Sequence, residues 1–131
     1  MTFLRIAIAT LLLNLTVHAQ PTPTATDATA LVGGGAAVVL ATLNNPSMYD
    51  VYIVSGKSEV ADAVELIEGD KKLESITVPA YGSFEMKPGA HRIRLTGLKR
   101  QFKAGEELKL TLETDGGAAI AVAAIVKAVE Q

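Results

Sequence analysis

Residues 88–99 read PGAHRIRLTGLK and bring one imidazole and two guanidiniums, His91, Arg92 and Arg94, close together. An imidazole can ligate a metal or move a proton near neutral pH. A guanidinium stays protonated and has no lone pair to give, so it repels cations and binds carboxylates or phosphates. The chain has no cysteine, two histidines and three methionines. Past the first 19 residues the soft and borderline ligands are therefore His91, Met48 and Met86. The stretch is either a metal-binding edge or the place where such an edge has been replaced by fixed positive charge.

Other chemistry is poorly supplied. Nucleophilic catalysis needs a Ser, Thr or Cys with a base and an orienting group. A Ser83/His91 pairing across the Lys-Pro-Gly turn has nothing in its spacing to favour it over a turn serine and a half-buried histidine. Glu65, Glu68, Glu106 and Glu107 read as a solvated face, not as a carboxylate pair in a cleft. The SGKS at 55–58 lacks the earlier glycine of a phosphate-binding loop, since Val51 stands there. Gly33-Gly34-Gly35 has no helix N-terminus beside it to hold phosphate and reads as a turn between strands. No catalytic, cofactor-binding or metal-ligating residue is assigned, and an enzyme is not expected.

The elements that must position these groups read as all-β. Short alternating or β-branched runs, among them GAAVVLATL, YDVYIVSG, ADAVELIE, HRIRLTGL and ELKLTLETDGG, are split by turn residues at the spacing of a sandwich or barrel. The Ala-rich AAIAVAAIVKAV is ambiguous in propensity, but Ile120, Val122, Ile125 and Val126 favour a final strand. Alternation assigns faces, because residues two apart on a strand share a side. Ile93 and Leu95 then face the core and Arg92, Arg94 and Thr96 face out, with His91 on core parity at the strand's start. Val64 and Leu66 point one way, Glu65 and Ile67 the other. On this pattern Met86 is a buried gap-filler and Met48 lies in an exposed turn. A soft-metal site made of Met48, Met86 and His91 is the alternative.

Residues 1–19 carry Arg5, an apolar run from Ile6 to Val17 and the small-residue pattern Val17-His18-Ala19, which together read as a cleavable secretory signal. The run is too short for an uninterrupted membrane span of about 20 residues, and no cysteine follows it to carry a lipid. The expected product is periplasmic or secreted and not stably inserted in a membrane. Residues 20–26 are expected to be a flexible Pro/Thr-rich segment and residues 27–131 a single domain, with order starting near Asp27. A net charge of −2, more negative without Arg5, gives no hint of nucleic acid as a partner.

Taken together, DATALVGGGAAVVLATLNN, SEVADAVELIE and ITVPAYGSFEMKPGAHRIRLTGLKRQFKAGEELKLTL resemble the periplasmic copper chaperones of the PCu(A)C family, from about Asp27 to Val126. The resemblance implies a cupredoxin-like Greek-key β-sandwich that carries copper(I) at one edge and delivers it to an oxidase or another envelope target. It also implies a ligand set of two histidines and two methionines. One His follows the VEL strand core, a Met comes further on, and a His-x-Met pair follows the Pro-Gly turn.

Carried over by position, the first His falls on Ile67, and EGDKKLESITVPA contains no Met. The His-x-Met pair falls on Arg92 and Arg94, with His91 where the family has an aromatic. Shifting by one residue would make His91 the ligand and Ile93 the lost Met. That would turn the pair inward and disturb the Ile93/Leu95 core pattern. A degenerate copper site is therefore expected.

Two functions stay open: a copper carrier by descent, and a metal-independent module binding an envelope partner. In the second, Arg92 and Arg94, with Lys99, Arg100 and Lys103, form one cationic edge for an acidic protein surface or small anion. Alternatively the arginines pair across strands with Glu65 or Glu68. Ile67 is expected on the outward face, where an exposed apolar residue among acids marks a contact.

Overall fold

The computed structural model describes residues 21–130, so the expected leader lies outside the described residues. Ten strands run in chain order: β1 (Thr24–Gly33), β2 (Ala36–Asn44), β3 (Val51–Lys57), β4 (Ala61–Glu68), β5 (Lys71–Lys72), β6 (Ile76–Val78), β7 (Ser83–Glu85), β8 (His91–Leu98), β9 (Glu107–Thr114) and β10 (Ala119–Glu130). There is no helix among the described residues. The apolar run in the last segment settles as a strand because Ile120, Val122, Ala124 and Val126 alternate inward into the core while Ala121 and Ala123 face out.

The strands hydrogen-bond in the order β5-β4-β8-β2-β1-β10-β9-β3-β6, with β7 also on β2. All these pairings are antiparallel except β1 with β10, which is parallel. The sheet curls until β3 meets β4, although the two are far apart along its hydrogen-bonded path. A methyl group added at Gly56 would come within 2.6 Å of Val64 Cγ1, so this glycine permits the closure. Val39, Leu43, Ile53, Ile93, Leu95, Leu108 and Leu112 fill the interior with essentially no exposure.

The glycine triplet works as a turn. Gly33 pairs with Ala36, and the intervening Gly34 and Gly35 have φ of +60° and +77°. Positive φ at both central residues is the twist-compatible two-residue hairpin connection.

One boundary differs from expectation. Strand pairing starts at Thr24 and not near Asp27, because Thr24, Ala25 and Thr26 already oppose Asn44, Leu43 and Thr42. The register then shifts between Thr26 and Thr29, with Asp27 at φ +54°. Aspartate tolerates that left-handed conformation in a bulge. The Pro/Thr composition reports low hydrophobicity, but an edge of β2 was there to be paired.

Two loops are joined by a buried polar plug. Asn45 is 2% exposed. Its Nδ2 donates to the carbonyls of Tyr49 (2.7 Å), Val78 (3.1 Å) and Pro79 (3.2 Å). Its Oδ1 accepts from the Ser47 amide and hydroxyl. The Tyr81 amide donates to Ser47 O at 3.0 Å, fixing Tyr81 at φ +56° with its side chain exposed.

Candidate functional site

Antiparallel pairing of β4 with β8 sets Glu65 opposite Arg94, Ile67 opposite Arg92 and Glu68 opposite His91. On the other side of β4, Ile67 opposes Lys72 of β5. Directly opposed residues share a face, so Glu65, Ile67, Lys72, Arg92 and Arg94 lie together. These include the positions where the resemblance places copper ligands.

Arg94 and Glu65 form a close pair, with Nη2 at 2.8 Å and Nε at 3.3 Å from Oε1. Lys72 Nζ sits 3.4 Å from the other carboxylate oxygen. The hydrogen bond from Arg94 is the main reason the Glu65 carboxyl is held below the ordinary carboxylate value, with burial opposing and Lys72 assisting. A lowered folded-state value gives stability that is present above the unfolded value and is lost as pH falls through the folded one. In urea unfolding between about pH 6 and 3, Glu65→Gln should flatten part of the acid limb. Part of the slope should stay with Glu113, which is lowered chiefly by the Ser55 hydroxyl. Identical slopes in the two proteins would remove the triad from the account.

Arg92 is used differently. Its Nη2 donates to Gly69 O at 2.8 Å and its Nη1 to Ala90 O at 3.4 Å, so it braces the turn after β4. Cross-strand pairing with Glu65 or Glu68 thus describes Arg94 and not Arg92. Glu68 instead lies 3.5 Å from His91 Nε2, and the His91 ring meets Phe84 edge-on at 4.8 Å. His91 is half-buried, on the parity of the core residues but at the strand's start.

Ile67 departs from expectation. It shares the face of the arginines, as alternation required, but is only 1% exposed and is no surface contact. The reason is its neighbours. Lys72, directly opposite, reaches diagonally to Glu65, and Arg92 on the other side reaches to Gly69, so two aliphatic stems flank the isoleucine. Lys72 was not singled out in the sequence. Its signal was the Gly69-Asp70 pair after an apolar run, which marks a two-residue hairpin and folds β5 back beside β4.

The single cationic edge is also corrected. Arg92 and Arg94 lie toward the start of β8, whereas Lys99, Arg100 and Lys103 follow its end. Strand rise puts Lys99 roughly 15–25 Å beyond the two arginines along the chain. Arg94 borders a depression separate from the cleft lined by Lys99, Arg100 and Lys103, though sharing Val32, Gly33 and Gly34 with it. Proximity in sequence along an extended strand is separation in space.

Met86 is buried in the core at 5% exposure, and Met48 lies out at 60%. Among the described residues, no group of three or more His, Asp or Glu is disposed to hold a metal ion. The donor set at the aligned positions is an aliphatic side chain and two guanidiniums, which does not fit copper(I).

The curled all-β sheet is a cupredoxin-like fold of the kind seen in PCuAC domains. The chain belongs to the LpqE-like family, whose model, "Putative lipoprotein LpqE-like", matches residues 14–126.

Among solved structures it is similar to the copper-bound PCuAC domain from PmoF2, at 16% identity and TM-score 0.73, covering 87% of this chain and 99% of that one. The apo PCuAC domain from PmoF1 gives 17%, 0.73, 85% and 98%. CuI-DR1885 from Deinococcus radiodurans gives 28%, 0.63, 79% and 78%. None of the curated proteins compared matches the chain.

Proposed function

We propose that this is an exported copper-chaperone-like protein with a degenerate copper(I) site, acting as a metal-independent module that binds an envelope partner and catalyses no reaction. The observation that carries the reading is the Arg94–Glu65–Lys72 triad, with Arg92 tied to Gly69 O beside it. Fixed positive charge stands where the resemblance places a His-x-Met pair, and it would oppose a cation electrostatically. Arg94 keeps its fork on Glu65, so an acidic partner would have to compete for it or engage the rim offered by Lys71 and Lys72.

Anaerobic titration of residues 20–131 with copper(I) against a competing chelator tests this. No competition is expected, and His91→Ala should change nothing. Tight one-to-one binding lost in His91→Ala would restore a carrier with relocated ligands.

A further inference from the structure

The second cationic group has its own setting. A cleft of about 1000 Å³ opens between the β1–β2 turn and the loop after β8, lined by Gly34, Gly35, Lys99, Arg100, Lys103 and Val129 among others. No Asp or Glu lines it among the described residues, in a chain whose net charge is −2. The walls are tied together. The Leu98 amide donates to Gly35 O at 2.9 Å, the Lys99 amide to Val60 O at 2.8 Å, and the Lys103 amide to Glu106 Oε1 at 2.6 Å.

Arg100 is partly committed, its polar contacts both made through Nη1. Its guanidinium lies 3.8 Å over the Phe102 ring, 3.6 Å from Glu106 and 3.0 Å from Gln101 O. The ammonium groups of Lys99 and Lys103 make no ion pair among the described residues. The amides of Gly34 and Gly35 likewise donate to no described acceptor.

From this we infer that the cleft binds a phosphate-bearing anion. The free donors are two exposed ammonium point charges and two backbone amides, with the Arg100 guanidinium held over Phe102 beside them. Planar carboxylates are best matched by a bidentate fork, whereas lysine binds phosphate as a point charge. A tetrahedral anion can meet donors arriving from the turn on one side and the loop on the other. This site does not use the Arg94–Glu65–Lys72 triad, although Arg94 borders a neighbouring depression that shares Val32, Gly33 and Gly34 with the cleft, and its test does not depend on the reading given to that edge.

Amide NMR spectra of the protein, titrated with inorganic phosphate and in parallel with sodium chloride at matched ionic strength, test the assignment. Phosphate is expected to give saturable shifts at Gly34, Gly35 and residues 99–103 that chloride does not reproduce. The double variant Lys99→Gln/Lys103→Gln should bind at least about tenfold more weakly, and Lys109→Gln should be unchanged. Sedimentation with phosphatidylglycerol vesicles, against phosphatidylcholine controls, separates the sources of the phosphate. Binding to phosphatidylglycerol that the double variant loses assigns a lipid headgroup, and phosphate shifts without vesicle binding assign a free anion. Equal shifts in chloride, an unaffected double variant, or no response to either phosphate source would overturn the proposal.

Discussion

Ile67→Ala should lower the unfolding free energy by about 3 kcal/mol, within the range for truncating a buried isoleucine. For a domain of this size that is a fall of roughly 10–20 °C in Tm. The side chain is 1% exposed, and the groups flanking it are the stems of Lys72 and Arg92, which cannot collapse inward without giving up Glu65 and Gly69. An exposed residue at this position would change stability by about 0.5 kcal/mol or less. Thermal unfolding therefore distinguishes a second, small apolar cluster beneath the altered edge from a surface contact. Arg92→Met, which keeps much of the stem and removes the charge, should cost much less than the alanine at 67. A larger loss for Arg92→Met would transfer the role to the hydrogen bond on Gly69.

Asn45→Ala is the other large effect. The substitution removes the donors serving the Val78 and Pro79 carbonyls and the acceptor serving Ser47. Leaving such buried groups unpaired costs about 1–3 kcal/mol each, so a total loss of roughly 2–4 kcal/mol is expected. Asn45→Asp should be worse near neutral pH, because a carboxylate would face backbone carbonyls that now receive N–H groups. Tyr81 provides a local reporter: a bulky residue at positive φ is held there only while its surroundings impose it. Faster amide exchange at Tyr81 and Gly82 should accompany the loss. A cost below about 1 kcal/mol would show that water replaces the amide without penalty.

Much of this architecture was legible because it depends on local chemistry. The β-branched residues of the last segment outweighed its alanines, and three glycines with no helix after them marked a hairpin turn. The Ile93/Leu95 alternation placed Arg92 and Arg94 on the opposite face. Met86 was recognisable as core from its neighbours Glu85 and Lys87. The pairing of Arg94 with Glu65 was among the weighed alternatives, since both belong to one face of adjoining runs.

Other features depended on what packs over a face, which alternation does not report. Ile67 had the right parity and the wrong exposure, because a two-residue strand brought Lys72 beside it. Thr24 joined a strand because β2 was long enough to receive it. The split between the two cationic groups needed the length of β8, which sets Arg92 and Arg94 toward its start and Lys99, Arg100 and Lys103 past its end. The comparison of Ile67, Arg92 and Arg94 with the family's ligands came only through the resemblance, and the structure adds what these three side chains do.

The parallel pairing of β1 with β10 also governs how the molecule comes together. Thr29 opposes Ile125 and Gly33 opposes Glu130, so a strand in the middle of the sheet cannot be flanked on both sides until nearly the whole chain has emerged. Closing so long a loop is entropically expensive and belongs to the slow, non-local class of folding reactions. During synthesis the chain would stay incomplete until its last strand arrives.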